Sequence, residues 1–411
     1  MLKSGLKLLV VILIVLAAFK CINPYFPKLS GYQPLLVVDG LITNDNSSYI
    51  VTLSNSTQYR DSITEKVSDA IVSLTDEAGL NTQLTACGNG IYKTDSLSFR
   101  GMIGKTYRLH IKTSNGKEYE SDSCTMLPVP GIDSVYFEKD VKLLNNSSES
   151  MEGISIYLDT KAGTDDKYFL RWAFDEIWKF KVPDPTRYDF LNDSTILLLP
   201  NSAVKEFCWK SAKSAEILTG AILPGSNGSL KKQPIQFIPP ELSDRLTIRY
   251  SILVKQYSVS QKEYDYWNNL QQVSETEGDI FGSQPYAVVS NIKNINNPSE
   301  QILGYFQVSA VEQKRIFIDF EETIPMDLPF YHYNCALYAK APSDFDHSIG
   351  SPPMTFDDVY NIFMATGNYS FVEPLYDITT FKLLKLVFST PECSNCELTG
   401  TSIKPDFWTD N

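Results

Sequence analysis

The stretch from residue 69 to residue 119 decides the fold of the N-terminal part of the chain. It contains DAIVSLTDEAG at 69–79, GNGIYKT at 88–94 and GKTYRLHIKTSNGKEY at 104–119. Apolar and polar residues alternate in the first and last of these runs, and turn residues such as Gly, Asn and Asp follow. Alternation with a period of two is typical of strands that bury one face, and short strands at this spacing favour an antiparallel arrangement.

The residues before this stretch continue the pattern. The runs 35–42 and 49–53 are rich in Val, Ile and Leu, and the turn sequence TNDN separates them at 43–46. We therefore predict a mostly β protein that begins with a transthyretin- or immunoglobulin-like antiparallel β-sandwich over residues 35–127. The order of the runs resembles transthyretin-like and carboxypeptidase-regulatory-like modules, and this resemblance implies a fold but no function.

A stiff linker, LPVPG at 127–131, follows the sandwich, because each proline fixes its own φ and favours an extended neighbour. Beyond it we predict a larger β-rich domain over 131–390 with a short helical insertion, and we interpret 183–201 as a polar loop. The strand-like runs of this domain are 132–137, 154–158, 168–174, 245–257, 303–311, 314–320 and 380–389.

The helical insertion is predicted to begin at a capping box, in which Ser260 and Glu263 satisfy the first free amides. Gly278 is the predicted stop. Between them a stripe recurs at helical spacing and either packs on the sheet, which we favour, or forms a platform for a ligand: Tyr264, Trp267, Leu270 and Gln271. The same choice applies to Trp172, Trp178 and Trp209, which could stack on a ligand but which sheets ordinarily bury.

The first 20 residues predict export. Lys3 and Lys7 precede an apolar run at 8–19, which is short for a bilayer span but fits the core of a signal peptide. Cys21 follows at once, where a lipoprotein signal peptidase requires a cysteine. We predict cleavage after residue 20, a membrane anchor through lipid on Cys21, and a tether over 21–34. The alternative is an ordinary secretory peptide or membrane anchor with an incidental cysteine.

Six further cysteines permit up to three disulfides in an exported chain, and the sequence leaves their pairing open: Cys87, Cys124, Cys208, Cys335, Cys393 and Cys396. The sequence CSNC at 393–396 can also be interpreted as a redox motif or half of a zinc site. Because no second such pair accompanies it, we predict a structural disulfide role and no metal. It lies in a C-terminal tail, 391–411, whose Phe407 and Trp408 are expected to fix the tail to the body or to meet a partner.

The charge and the motifs of the chain argue against several classes of function. The chain has 36 Lys and Arg against 49 Asp and Glu, a net charge of −13, and no basic run, which argues against nucleic acid or anionic lipid as a partner. It lacks the motifs of serine hydrolases, zinc proteases, phosphate loops and dinucleotide sites, and its three histidines are scattered. We therefore predict a protein that is not an enzyme, with no catalytic residues and no cofactor. Hydrolysis by two carboxylates stays open, although we interpret the acid pairs 165–166 and 357–358 as loop acids.

Two serines are candidate O-glycosylation sites. Ser62 and Ser194 each follow an aspartate and precede an apolar residue or a threonine in a loop-like stretch.

Several longer stretches carry a family resemblance: LLVVDGLIT at 35–43, PVPGIDSVYFE at 128–138, QYSVSQKEYDYWNNL at 256–270, GDIFGSQPYAVVSNIKN at 278–294, NNPSEQILGYFQVSAVEQKRIFI at 296–318 and PECSNCELTGTSIKPDFW at 391–408. Together they resemble a family of Bacteroidetes cell-envelope lipoproteins catalogued as domain of unknown function 4249. The resemblance implies an outer-membrane lipoprotein, often encoded beside TonB-dependent receptors, and implies no catalytic residues. Members exported to the cell surface often carry acids after the lipidated cysteine, and residues 22–27 have none, so the surface and the periplasmic face both stay open.

From these features we expect a non-enzymatic lipoprotein that assists a TonB-dependent receptor in nutrient uptake, with an unknown ligand. Two alternatives remain, a structural or adhesive envelope lipoprotein and a carboxylate-based hydrolase.

Overall fold

The structure is a computed structural model that describes residues 33–57, 64–97, 99–143, 150–164, 166–225, 228–275, 288–345 and 352–409. The signal peptide, Cys21, Ser62 and Gly278 lie outside the described residues, as does almost all of the tether. Within the described ranges no helix is both long and apolar enough to cross a membrane.

Two facing sheets form the predicted N-terminal sandwich. In β7, Tyr107, Leu109 and Ile111 are buried while the side chains between them are more exposed, so the alternation read from the sequence places one face in the core. The sheets run β1-β2-β6-β5 and β8-β7-β3-β4, with β9 beside β7. The strands are β1 Leu36–Ile42, β2 Ile50–Asn55, β3 Ile71–Asp76, β4 Asn81–Gln83, β5 Thr85–Ala86, β6 Ile91–Lys93, β7 Thr106–Lys112, β8 Glu118–Ser121 and β9 Cys124–Thr125.

The larger domain also contains two facing sheets. Sheet β10-β11-β17 packs on a sheet built around β12, which pairs with β15, β16 and β18, and the core between them includes Ile156, Trp172 and Ile252. The mostly β class predicted from the sequence is confirmed. The strands are β10 Gly131–Leu143, β11 Ser150–Lys161, β12 Tyr168–Lys181, β13 Tyr188–Asn192, β14 Thr195–Leu198, β15 Phe207–Lys213, β16 Leu218–Ile222, β17 Ser229–Ile238 and β18 Arg249–Val259.

The stretch 183–201, predicted as a polar loop, contains the hairpin β13–β14 instead. Phe190 explains the difference, because it is buried against Tyr360 and Phe371, with ring centroids 4.6 and 6.0 Å away. These partners lie far away in the sequence, so local polarity did not reveal the strand.

The predicted helix is present as α1, Gln261–Glu275. Ser260 Oγ accepts a hydrogen bond from the Glu263 amide at 3.2 Å, as expected for one half of the capping box. The other half was predicted wrongly: the Glu263 side chain turns inward, where Trp267 Nε1 donates to its Oε1 at 3.2 Å.

After α1 the chain returns to the first sandwich. Strand β19, Ile292–Asn294, pairs with β8, and β20, Leu303–Val308, pairs parallel with β1. Strand β21, Val311–Asp319, then pairs with β18 in the larger domain. The predicted boundaries, 35–127 and 131–390, were therefore wrong in this respect: 292–308 completes the sandwich, because the free edges of β8 and β1 take up these two strands.

The C-terminal part adds a third, smaller layer. Strands β22 Tyr338–Lys340, β23 Ser370–Tyr376 and β24 Leu383–Ser389 form one sheet, and three short helices accompany it: α2 Phe320–Thr323, α3 Phe356–Ala365 and α4 Pro391–Ser394. Asp357 and Asp358, interpreted as loop acids, lie in the first turn of α3, where the Asp358 carboxylate accepts a hydrogen bond from the Thr355 amide and completes a capping box. Asp165 lies outside the described residues.

Residues 391–409 are fixed to the body rather than forming a separate tail. Disulfides join Cys208 to Cys396 and Cys335 to Cys393. Trp408 is buried with its ring centroid 6.2 Å from that of Trp209, which confirms that the end of the chain docks on the body.

Candidate ligand-binding cleft

An open cleft of about 500 Å³ lies where the sandwich meets the larger domain. One wall comes from β1, β2 and the loop 43–49, and the opposite wall comes from β12, β18 and the start of β21. Lys213 and Ser214 at the end of β15, Trp267 of α1, and Tyr305 and Gln307 of β20 complete the lining. The site is thus assembled from segments that are remote in the sequence.

The connection between β20 and β21 fixes the two walls relative to each other. It consists of Ser309 and Ala310, so one continuous stretch pairs with β1 in the sandwich up to Val308 and with β18 in the larger domain from Val311 onward. The Ser309 amide donates to the Ile42 carbonyl at 3.0 Å, and the Val311 amide donates to Asn44 Oδ1 at 2.7 Å. These bonds hold the loop that forms the rim of the cleft.

Arg171 is the cationic side chain at the junction of the two walls. It projects from β12 on the face opposite Leu170 and Trp172, which are fully buried in the core. Its Cζ lies 4.1 Å from the ring centroid of Trp267 and 5.9 Å from that of Tyr257, distances at which a guanidinium stacks on an aromatic face. Arg171 Nη1 donates to Gln307 Oε1 at 3.1 Å.

The guanidinium of Arg171 has unused hydrogen-bonding capacity. Of its five N–H groups, one is accounted for by Gln307, and the Nε is buried without a partner among the described residues. Arg171 also forms no ion pair with any acid in the described ranges. Burial lowers the pKa of the Arg171 guanidinium from its ordinary value.

Glu263 is a buried acid beside Arg171. Only 4 % of the residue is exposed, and burial raises the pKa of its carboxyl to about 8, against the smaller opposing effects of the Trp267 hydrogen bond and of Arg171. Its carboxyl is therefore largely protonated at neutral pH. Because a protonated acid carries no charge, Glu263 does not neutralise Arg171.

Trp267 and Tyr305 line the end of the cleft near α1, and the buried Tyr266 packs against both rings. The ring centroids of Tyr266 and Tyr305 are 4.6 Å apart, and that of Trp267 lies 5.1 Å from Tyr266. Burial raises the pKa of the Tyr266 hydroxyl to about 12, so it stays protonated. This wall offers an apolar, planar surface next to the guanidinium.

The rest of the cleft carries mixed charge. Lys255 Nζ is neutralised by Asp175 Oδ2 at 2.6 Å. On the opposite wall Asp39 is exposed, while the Asp45 carboxylate accepts hydrogen bonds from Thr43 and Ser47. The cleft therefore presents acids on one side and Arg171 on the other.

Two further cavities are less suited to a polar ligand. One of about 250 Å³ is lined mainly by apolar side chains such as Leu246, Phe320 and Phe330. Another of about 620 Å³ lies at the edge of the sheet β10-β11-β17, around Met151 and Phe237. Ligand sites combine an apolar lining with a few converging polar groups, and of the three the interdomain cleft fits this description best.

The candidate residues named from sequence lie elsewhere. Cys208, Cys335, Cys393 and Cys396 form the two disulfides, so each cysteine of the CSNC stretch pairs with a remote partner. Cys87 is free and exposed, and Cys124 is free and half-buried. Burial raises the pKa of the Cys124 thiol to about 12, and Asn291 Nδ2 contacts its sulfur at 3.4 Å.

Ser194 is exposed in the turn of the β13–β14 hairpin, and its accessibility permits the predicted glycosylation. Among the described residues no group of three or more His, Cys, Asp or Glu is placed to hold a metal ion.

The aromatic residues singled out from the sequence fall into two groups, those buried in the core and those that line the cleft. Trp172, Trp178 and Trp209 are buried, as favoured from the sequence, whereas Trp267 is half-buried and lines the cleft. Tyr264 packs on Phe169 at 4.9 Å, so the stripe of α1 serves both packing and the cleft. The sequence did not lead us to predict Arg171 as a site residue. Its one signal was that it is a lone arginine within the otherwise apolar run YFLRWAF at 168–174.

Comparison with solved structures includes a chain titled "Biofilm associated protein - BSP domain". It is 8 % identical, the alignment covers 72 % of this chain and 63 % of that chain, and the TM-score is 0.11, which is too low to support an argument. The comparison with curated proteins gives no match. A family described as "Domain of unknown function (DUF4249)" matches residues 22–315, which include both walls of the cleft and the whole of α1. The chain therefore belongs to the DUF4249 family.

Proposed function

We propose that the protein is an outer-membrane lipoprotein that binds a small ligand in the interdomain cleft and assists a TonB-dependent receptor in its uptake. The observation that carries the binding role is the cleft itself: about 500 Å³, open to solvent, with a stacked arginine and an aromatic wall between two domains. Pockets of this size and composition, at the junction of domains, are where small ligands usually bind.

The sequence supports the membrane address of this proposal. Lys3 and Lys7, the apolar run 8–19 and Cys21 together fit a lipoprotein signal, and an acylated cysteine would anchor the body to a membrane. We propose a TonB-dependent receptor as the partner because the family resemblance implies a gene that is often encoded beside such receptors. Assistance to a receptor needs no catalytic group, only a ligand site and a surface for the receptor.

The receptor role is tested by isolating an affinity-tagged form from native outer membranes in mild detergent and identifying the proteins that accompany it. We expect a TonB-dependent receptor in near-equal amount. Cys21→Ser is the matched control, because without the cysteine the chain is neither lipidated nor cleaved, so it should be absent from the outer membrane and lose the receptor without altering the cleft.

Recovery of the lipoprotein alone, under conditions that keep other envelope complexes intact, would contradict the receptor role. A structural or adhesive role would then become the better hypothesis. It predicts that deletion of the gene impairs adhesion or envelope integrity while growth on every nutrient stays unchanged.

A further inference from the structure

The inference concerns the ligand of the cleft and rests on the proposed binding function. Arg171 is held in a fixed orientation by Trp267 on its face and by Gln307 at one nitrogen. An ordered guanidinium loses less conformational entropy on binding than a free surface arginine, and its planar set of donors matches an oxyanion. No acid in the described ranges pairs with it.

The charge around Arg171 limits which anion fits. Lys255 is paired with Asp175, and the opposite wall carries Asp39 and Asp45, so the cleft offers little positive charge beyond Arg171 and the exposed Lys213 at its rim. A phosphate near its second ionisation carries up to two negative charges, which these acids would repel. A single negative charge suits the site better.

The neutral part of the ligand is indicated by the wall next to the guanidinium. Trp267 and Tyr305 line this wall, the buried Tyr266 packs against both rings, and the ring centroid of Tyr257 lies 5.9 Å from Arg171 Cζ. Flat aromatic surfaces favour an apolar or aromatic group in the ligand, which would be buried beside its charged end.

We propose that the cleft binds small organic carboxylates, with the carboxylate held by Arg171 and an apolar or aromatic group against Trp267 and Tyr305. The ligand carboxylate accepts hydrogen bonds from the Nη1 and Nη2 N–H groups that have no partner among the described residues, whereas the Nε is buried out of reach of a ligand. Charge-assisted pairs of this kind are roughly twice as strong as neutral hydrogen bonds.

The test is ligand-detected NMR titration of the purified full-length protein in mild detergent. The probes are phenylacetate and the dipeptide alanyl-phenylalanine, with phenylacetamide as the neutral analogue of the same shape and inorganic phosphate as competitor. We expect both carboxylates to bind at concentrations up to about 10 mM, and phenylacetamide to bind at least about tenfold more weakly, because it lacks the charge that Arg171 recognises.

Two variants locate the effect. Arg171→Gln should weaken binding of the carboxylates by at least about tenfold, while Arg108→Gln, at an exposed arginine of the sandwich surface, should leave it unchanged. Near-UV circular dichroism checks that each variant is folded. If Arg171→Gln does not fold, the comparison of acid with amide on the wild-type protein decides the matter alone.

Other outcomes overturn the inference. Equal binding of phenylacetate and phenylacetamide, or binding unaffected by Arg171→Gln, would leave a cleft that binds ligands but not through a carboxylate. Binding of inorganic phosphate in preference to both carboxylates would replace the assigned anion. Absence of binding by both carboxylates would refute the inference, and the receptor isolation would still show separately whether the proposed role in uptake holds.

Discussion

Replacement of Glu263 by glutamine is expected to stabilise the protein at neutral and alkaline pH. Glu263 is buried beside Arg171, and burial raises the pKa of its carboxyl from 4.5 to about 8. Glutamine keeps the shape and the oxygen that accepts the hydrogen bond from Trp267 Nε1, but it cannot ionise. The substitution therefore removes the titration and leaves the packing nearly unchanged.

The sign and size of the effect follow from proton linkage. Below pH 4.5 the carboxyl is protonated in both the folded and the unfolded states, so it contributes no pH dependence there. Between pH 4.5 and about 8 the unfolded chain releases the proton while the folded chain retains it, and folding becomes less favourable as the pH rises. Each pH unit in this window corresponds to about 1.4 kcal/mol. The wild type should thus lose up to about 5 kcal/mol relative to Glu263→Gln across the window.

The assay is urea unfolding followed by circular dichroism, for both proteins at a series of pH values between 4.5 and about 9. The quantity of interest is the difference in the free energy of unfolding, because pH effects of all other groups cancel in it. Glu241→Gln, at an exposed glutamate, is the matched control and should give a difference that stays near zero.

Two results would refute the reasoning. A difference that does not change with pH would mean that the carboxyl of Glu263 titrates alike in both states. A wild type that gains stability over Glu263→Gln with rising pH would mean that Glu263 is ionised and neutralises Arg171. The second result would also remove the unpaired guanidinium on which the carboxylate site depends.

Three further predictions concern the fold, each measured by urea unfolding. Gly304→Ala should destabilise the protein by about 3 kcal/mol or more, because the residue has φ +87° and an added Cβ would lie 1.9 Å from a backbone oxygen of β1. The control Gly116→Ala, at a residue with φ +84° and open space around it, should cost only about 1–2 kcal/mol. Equal losses of stability in the two variants would contradict this prediction. Replacing both Cys208 and Cys396 by serine should cost about 2–5 kcal/mol, and a variant that matches the wild type would argue against the disulfide. Trp408→Ala should lower the free energy of unfolding by about 3–5 kcal/mol and expose the C-terminal segment to limited proteolysis. A variant with unchanged stability and unchanged cleavage would show that burial of Trp408 does not hold this segment.

The sequence alone determines which strand faces are buried and where helix α1 begins. The alternation in β7 and the apolar run of β1 fixed which faces are buried, because a strand shows its environment with a period of two. Ser260 marked the start of α1 because a cap acts within one turn. These features depend on neighbours in the chain, so a single sequence contains the information needed to predict them.

The tertiary structure alone decided how distant segments meet. The parallel pairing of β20 with β1 moved 303–308 out of the larger domain and into the sandwich, and each cysteine of the CSNC stretch found a partner far away. Arg171 became a site residue because α1 laid Trp267 over it and β20 placed Gln307 beside it. Such contacts depend on the net free energy of packing the whole chain, to which every sheet edge and buried face contributes, and no local pattern records that balance.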